Sequence, residues 1–344
     1  QSPGNRPMVI RRIQRWLDGG ESAPAAPSSN RPGTPEKPAA HSPHRSAPTK
    51  PRLMPLLQLP GAPGEPASIG RPRDHAGATP WVQIDASLLP APIEAPAERD
   101  TIELPTIADR EGYFGERHFD YWLSGLRDWS LICRWAQAAG APVSAATRLL
   151  DLGSSSGRVL RHFVAQSGVQ RPWAADINRR NAAWLRKYMP PHVRVLPSTA
   201  LPHLPIEDRS LDLVYALSVI NHIDHLEHMW LAEIRRMLRP GGVCVLSVAT
   251  ETAWSLMGPD VPLFADLLRR KDDVVERPIS FDLFRAPMPE ERVVFTYRGR
   301  ELYQCNIFHA EAYIRREWSR LLGVVEIIPR GFDTQDAVVL RRDD

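Results

Sequence analysis

From Arg148 to Val248 short β-type runs alternate with helical runs, and this alternation constrains the fold more than any other feature of the chain. Arg148-Leu-Leu-Asp-Leu152 predicts a strand, Gly153-Ser-Ser-Ser-Gly157 a loop, and 158–166 a helix. Residues 173–177 predict a second strand, 179–188 a helix, 192–196 a third strand and 211–217 a fourth. A helix over 226–238 is stopped by Arg239-Pro-Gly-Gly242, and Val243–Val248 has the unbroken apolar character of a strand at a sheet centre. Strands separated by helices pair in parallel, so the fold class is α/β with a mostly parallel sheet.

Composition sets the limits of that domain. Of 34 prolines, 20 lie at or before Pro105, in text rich in Ala, Ser, Gly and Arg that buries too little apolar surface to offset its ordering entropy. Residues 1–105 are therefore expected to be a disordered tail and 106–344 one folded domain. Within the tail, Ile10, Ile13 and Leu17 lie at helical spacing, a short amphipathic docking segment. The domain should open on a long helix carrying Phe119, Trp122, Leu123, Leu126, Trp129, Ile132 and Trp135, ended by Gly140-Ala-Pro142. The stretch 250–308 breaks the alternation. It reads as an insertion with a helix near 263–268 and a hairpin of 293–297 with 301–305; a helix over 310–322 and strands at 324–328 and 337–340 close the chain.

Several function classes are excluded. No run reaches the roughly 18 apolar residues of a membrane helix, and no secretory signal is visible, so a soluble cytoplasmic protein is expected. Cys133, Cys244 and Cys305 are widely spaced and form no CxxC pair, which argues against a disulfide framework or a zinc module. The net charge of +3 is too small to imply nucleic acid. Residues 1–80 carry a balance of +6, however, so weak contact between this arm and an anionic membrane face is open beside the plainer role of a solvated linker.

The chemistry is carried by Asp151-Leu-Gly-Ser-Ser-Ser-Gly157, placed where the first strand turns into the first helix. Gly153 and Gly157 permit a tight turn and a close backbone approach to a ligand. The spacing is G-x-x-x-G, not the GxGxxG of dinucleotide sites, so a ligand without a pyrophosphate fits better. Asp176 closes the second strand 25 residues after Asp151, where a carboxylate accepts hydrogen bonds from ribose hydroxyls. Together these features imply a nucleoside-bearing ligand.

With Ala175-Asp-Ile-Asn178, the run from Leu204 to His222 and Trp230-Leu-Ala-Glu-Ile-Arg-Arg-Met-Leu-Arg-Pro-Gly-Gly242, the chain resembles a class I S-adenosylmethionine-dependent methyltransferase, methyltransferase type 11-like. The resemblance implies a Rossmann-like seven-stranded sheet in the order 3-2-1-4-5-7-6, its last strand antiparallel, and S-adenosyl-L-methionine as cofactor. It places Asp151, Gly153, Ser154, Ser155 and Gly157 at the methionine end, Asp176 on the ribose, Ile177 against adenine, Ser198, Thr199 and Leu201 along the adenine edge, and Ser218 beside the cofactor after the fourth strand. Two departures stand out. Ser155 replaces the family's middle glycine, and the acid often found after the third strand is absent, leaving Ser198 or Thr199 as substitutes.

Such a reaction needs an acceptor held in line with the methyl group and, for a hydroxyl acceptor, a base. His222, just beyond the fourth strand, is the candidate catalytic residue; a structural imidazole is its competing reading. His222, His225 and His228 with Asp224 are spaced by three and do not pair on one helix face, so no metal site is expected. His309 reads as a helix-start residue, while Tyr113, Phe114 and His118 form either a lid or ordinary packing. The aromatic insertion, with Trp254, Phe264, Phe281, Phe284, Tyr297 and Tyr303, suits a small-molecule or glycan acceptor, with oxygen as the target atom. The alternatives are aminopropyl transfer on the same fold and a non-catalytic cofactor-binding scaffold. No feature sets the oligomeric state.

Overall fold

The computed structural model describes residues 64–344 apart from 77–79, 81, 90–91, 276–278 and 299–304. The segment with Ile10, Ile13 and Leu17 and the aromatic Tyr303 lie outside the described residues. The strands are β1 (Leu149–Leu152), β2 (Trp173–Asp176), β3 (Arg194–Pro197), β4 (Leu211–Ala216), β5 (Leu238–Val248), β6 (Arg292–Thr296), β7 (Cys305–His309), β8 (Gly323–Phe332) and β9 (Gln335–Arg341). Seven form one sheet in the order β3-β2-β1-β4-β5-β9-β8. β1 to β5 are parallel, and β9 enters antiparallel between β5 and β8. Set aside the two-stranded β6-β7 sheet of the insertion, and this is the expected order.

The helices are α1 (Glu94–Arg99), α2 (His118–Ala138), α3 (Leu160–Ala165), α4 (Arg179–Tyr188), α5 (Glu227–Met237), α6 (Glu251–Leu256), α7 (Pro262–Arg269), α8 (Phe281–Arg285) and α9 (Glu311–Glu317). Alternate strand residues feed two cores, as the period of two requires. Leu149, Ala174, Leu213, Tyr215 and Val245 pack with α2, α3 and α4, while Leu150, Ala175, Val214, Ala216 and Leu246 pack with α5 and α9.

Three expectations are corrected. The first is the boundary at 105, because residues 64–105 contribute α1, a bridge from Ser68 to Pro105 and the buried side chains of Ala97, Ile102 and Leu104. Asp100 supplies the reason: its carboxylate pairs with Arg161 of α3 at 2.6 Å and accepts from Trp122 Nε1 of α2 at 2.7 Å, all three buried. Pro-rich composition thus conceals a segment held by specific polar contacts together with scattered apolar residues such as Ala97, Ile102 and Leu104. Second, Arg239-Pro-Gly-Gly242 is the irregular start of β5, with a register shift opposite Leu211 and Leu213, and not a turn. Third, β6 pairs with 305–309, from Arg292 opposite His309 to Thr296 opposite Cys305, so the hairpin's second strand runs past its expected end at 305, and its expected residues 301–304 lie outside the described residues.

Candidate active site

The sheet order reverses direction between β1 and β4, and the carboxyl ends of strands at such a switch point leave a crevice. Asp151, opposite Ala174 on one side and Tyr215 on the other, marks its floor. The chain then turns sharply: Gly153, Ser155 and Gly157 all have positive φ, at 77°, 48° and 77°. A Cβ at Gly153 would lie 2.3 Å from Val219 Cγ2, so space as well as backbone conformation demands glycine there, whereas at Gly157 it would meet only the flexible end of Met189, at 2.0 Å, and the positive φ is what favours glycine. Ser155 takes a left-handed conformation of the kind that favours glycine.

Asp176, at the end of β2, ties this loop down. Its Oδ2 accepts from Ser155 N at 2.7 Å, and its Oδ1 from Asn178 N at 2.7 Å and Asn181 Nδ2 at 3.3 Å. Gly153 N and Ser154 N both donate to the Ala175 carbonyl, and Ser154 Oγ donates to the Asp151 carbonyl. From the other side, Tyr121 of α2 meets Ser156 Oγ at 2.9 Å, and Arg158 donates to Asp128 at 2.6 Å. Gly125 of α2 lies so close that a Cβ there would sit 2.0 Å from the Arg158 carbonyl oxygen.

Both acids are hard to ionise. Burial pushes Asp151 up to about 7, with the Asp176 charge adding to the shift, and pushes Asp176 up to about 6 against the backbone N–H groups that favour its anion. The buried Tyr215 hydroxyl lies beside Asp151 without a well-formed hydrogen bond among the described residues. Glu111 Oε1 accepts from Asn178 Nδ2 and Asn181 Nδ2 at 3.1 and 2.9 Å, bringing a further acid to the same corner. These donors and acceptors fit an S-adenosyl ligand: acidic acceptors for ribose hydroxyls, an open-backboned glycine loop and no pyrophosphate cradle.

Of the other expected cofactor residues, Ile177 is half-buried after β2, Ser198 is buried and donates its N–H to the Asp176 carbonyl at 2.8 Å, and Thr199 Oγ1 accepts from Leu201 N. Leu201 is 42% exposed, at the rim of this group. Ser218 has φ 56°; its Oγ accepts from Gln335 Nε2 at 2.8 Å and its N–H donates to Ser247 Oγ at 2.7 Å. His222 ends the short helical turn Ile220–His222 after β4, and its Nδ1 lies 2.8 Å from the Cys305 carbonyl of β7. A carbonyl only accepts, so Nδ1 carries the proton and the Nε2 lone pair is the basic one. Burial pulls the His222 pKa below the ordinary imidazole value.

Other candidates separate from this group. His225 is exposed beside Asp224 and His228 faces Tyr313, so the three imidazoles diverge. His309 is fully buried at the end of β7, its Nε2 2.9 Å from Glu227, which also accepts from Arg292 and Trp318. Phe114 packs edge-on against Tyr121, His118 bonds Arg110, and Tyr113 is 57% exposed. In the insertion, Trp254, Phe264, Phe284, Phe295, Tyr297 and Phe308 build a small core of their own. Sequence reasoning missed Tyr121, Arg158, Asn181 and Glu111. Only Asn181 carried a signal, as an amide one turn beyond the helix-capping Asn178.

Residues 150–246 match the family model of a methyltransferase domain. No curated protein sequence matches the chain. Among solved structures, an S-adenosylmethionine-dependent methyltransferase from Mesorhizobium loti is similar at 15% identity, over 60% of this chain and 95% of that one, with a TM-score of 0.43. The Burkholderia thailandensis 1,6-didemethyltoxoflavin-N1-methyltransferase, solved with its substrate and S-adenosylhomocysteine, is similar at 17% identity, over 82% and 100% of the two chains, with a TM-score of 0.42. The chain is thus similar to a methyltransferase domain over residues 150–246, the stretch that holds the Asp151 loop and strands β1 to β4 of the sheet.

Proposed function

We propose that the chain is a class I S-adenosylmethionine-dependent methyltransferase that modifies a hydroxyl oxygen of a small molecule or glycan, with His222 as the base and no nucleic acid as substrate. The cofactor, when bound, supplies a methyl group made electrophilic by its sulfonium. The chain's own residues do the remaining work. Asp176 would hold the ribose hydroxyls, with Ile177 against the adenine and Ser198, Thr199 and Leu201 along its edge. The 153–157 loop, with Asp151 beneath it and Ser218 across the crevice, would hold the amino-acid end.

The supporting observation is the bond from His222 Nδ1 to the Cys305 carbonyl. It aims the basic nitrogen away from the insertion strand that carries Cys305, and burial keeps the ring neutral at pH 7. A neutral, oriented imidazole beyond β4 is what removal of a hydroxyl proton during methyl transfer requires. His222→Gln should lower kcat by about 100- to 10,000-fold, the usual worth of a general base, with unchanged affinity for S-adenosylhomocysteine. Undiminished turnover would remove His222 from the reaction. Labelled S-adenosylmethionine incubated with fractionated host extract should mark the glycan or small-molecule pool; label confined to protein or nucleic acid would overturn the acceptor class.

A further inference from the structure

The segment that carries His222 away from β4 is bonded to the insertion hairpin at His222, Asp224 and Glu227. His222 Nδ1 meets the Cys305 carbonyl of β7 at 2.8 Å, and both acids accept from Arg292, the first residue of β6. Arg292 Nη1 donates to Asp224 Oδ1 at 2.7 Å, Nη2 to the Asp224 carbonyl at 3.0 Å and Nε to Glu227 Oε2 at 2.9 Å. A guanidinium serves two partners at once through separate, coplanar nitrogens, which a lysine ammonium does not reproduce. Glu227 is buried, and its carboxylate also takes His309 Nε2 at 2.9 Å and Trp318 Nε1 at 2.7 Å.

The β6-β7 ladder carries this grip to the imidazole. Arg292 faces His309 at one end of the pair and Thr296 faces Cys305 at the other, about 13 Å away at the ordinary rise per residue. A two-stranded ribbon has little stability of its own, and the central side chains Val293, Phe295 and Phe308 belong to the insertion's own core. Placement of the hairpin against the β4 end therefore depends on how its two ends are fastened: Arg292 and His309 on Glu227, Cys305 on His222. The Cys305 carbonyl decides which nitrogen of His222 holds the proton, so a hairpin free to pivot would lose the Nδ1 bond and the fixed tautomer with it. We propose that Arg292 is the positioning residue for His222, pinning β6 to Asp224 and Glu227 so that the Cys305 carbonyl stays on Nδ1 and Nε2 keeps its lone pair. It acts from outside the matched domain, and the proposal rests on the reading of His222 as the base.

Two readouts on the full chain test it. In long-range proton–nitrogen spectra of protein carrying isotope-labelled histidine, the His222 signal is the one that His222→Gln removes, and it should report protonation at Nδ1. Arg292→Gln should turn it into a mixture of tautomers, and Arg292→Lys should keep more of the Nδ1 form. Turnover of labelled S-adenosylmethionine with the host fraction that accepts the label should fall about 10- to 100-fold in Arg292→Gln, the usual cost of displacing a catalytic group by about an ångström. Adding Arg292→Gln to His222→Gln should lower kcat no further, because Arg292 acts through that ring. A wild-type His222 protonated at Nε2, an unchanged tautomer or turnover in Arg292→Gln, or a full further loss in the double variant would overturn the positioning role. Should Arg292→Gln fail to fold, Asp224→Ala removes one anchor and leaves Glu227 paired; a wild-type tautomer or wild-type turnover in that variant overturns the proposal. Undiminished turnover in His222→Gln would instead bring down the base reading, and this proposal with it.

Discussion

Ser155 adopts φ 48°, a conformation that costs an L-residue about 1–2 kcal/mol and glycine nothing. Ser155→Gly should raise stability by less than that penalty, about 0.5 kcal/mol, because glycine has more backbone freedom to lose on folding. Ser155→Val, branched at Cβ, should lower stability and cofactor affinity together. Denaturant melts and ligand titration check both, and a valine variant as tight as wild type would contradict the strained loop. The raised acids set a pH dependence with a definite sign. Each holds its proton more firmly when folded, so this pair's stability contribution is greatest below about pH 4 and falls as pH rises towards 7. Glu227, held down to about 2 by its hydrogen bond to His309 and by Arg292 despite burial, acts in reverse and loses its contribution as pH falls below 4.5. Asp151→Asn should therefore flatten the decline of thermal stability between pH 5 and 7; an unaltered slope would refute the assignment. If Asp176 holds the ribose as proposed, its hydroxyls bond best to the ionised carboxylate, so cofactor affinity should weaken as pH drops below about 6.

Among elements, α2 does most to shape the site, through Tyr121 on the loop, Asp128 on Arg158 and the close approach of Gly125. Gly125→Ala places a methyl 2.0 Å from a carbonyl oxygen, so helix or loop must move. A loss of about 1–3 kcal/mol, the usual cost of overpacking, is expected in chemical denaturation, together with weaker cofactor binding. Unchanged melting would mean that the contact is relaxed easily. The helix itself was legible, because its Trp and Leu residues recur at spacings of three and four. Its Gly125, Tyr121 and Asp128 were not, since close approach and side-chain pairing to residues 30 or more positions away leave no periodic trace. The insertion shows the converse failure. Its aromatics were read as suiting an acceptor, but an isolated hairpin and three short helices need a core of their own, and the aromatic side chains provide it.

The molecule as a whole begins earlier than its composition indicates. The sheet order and the loop were readable because strands, helices and glycine turns each carry a local signature. The boundary was not, because long-range pairings with no periodic trace, the buried Asp100 carboxylate foremost among them, fasten the 64–105 segment to α2 and α3. Asp100→Ala should destabilise the protein by about 3–5 kcal/mol by stranding Arg161, and deletion of residues 1–100 should do the same where a plain tail would leave stability intact. Thermal melts of both proteins check this. The central claim is that the crevice between β1 and β4 is an S-adenosylmethionine site organised by Asp176. Calorimetric titration of S-adenosylhomocysteine into the wild-type protein and into Asp176→Ala tests it most directly. Saturable one-site binding to the wild type, weakened at least about 10-fold in the variant by loss of a charged acceptor, is the predicted result. No binding to the wild type, or equal affinity in the two proteins, would contradict it.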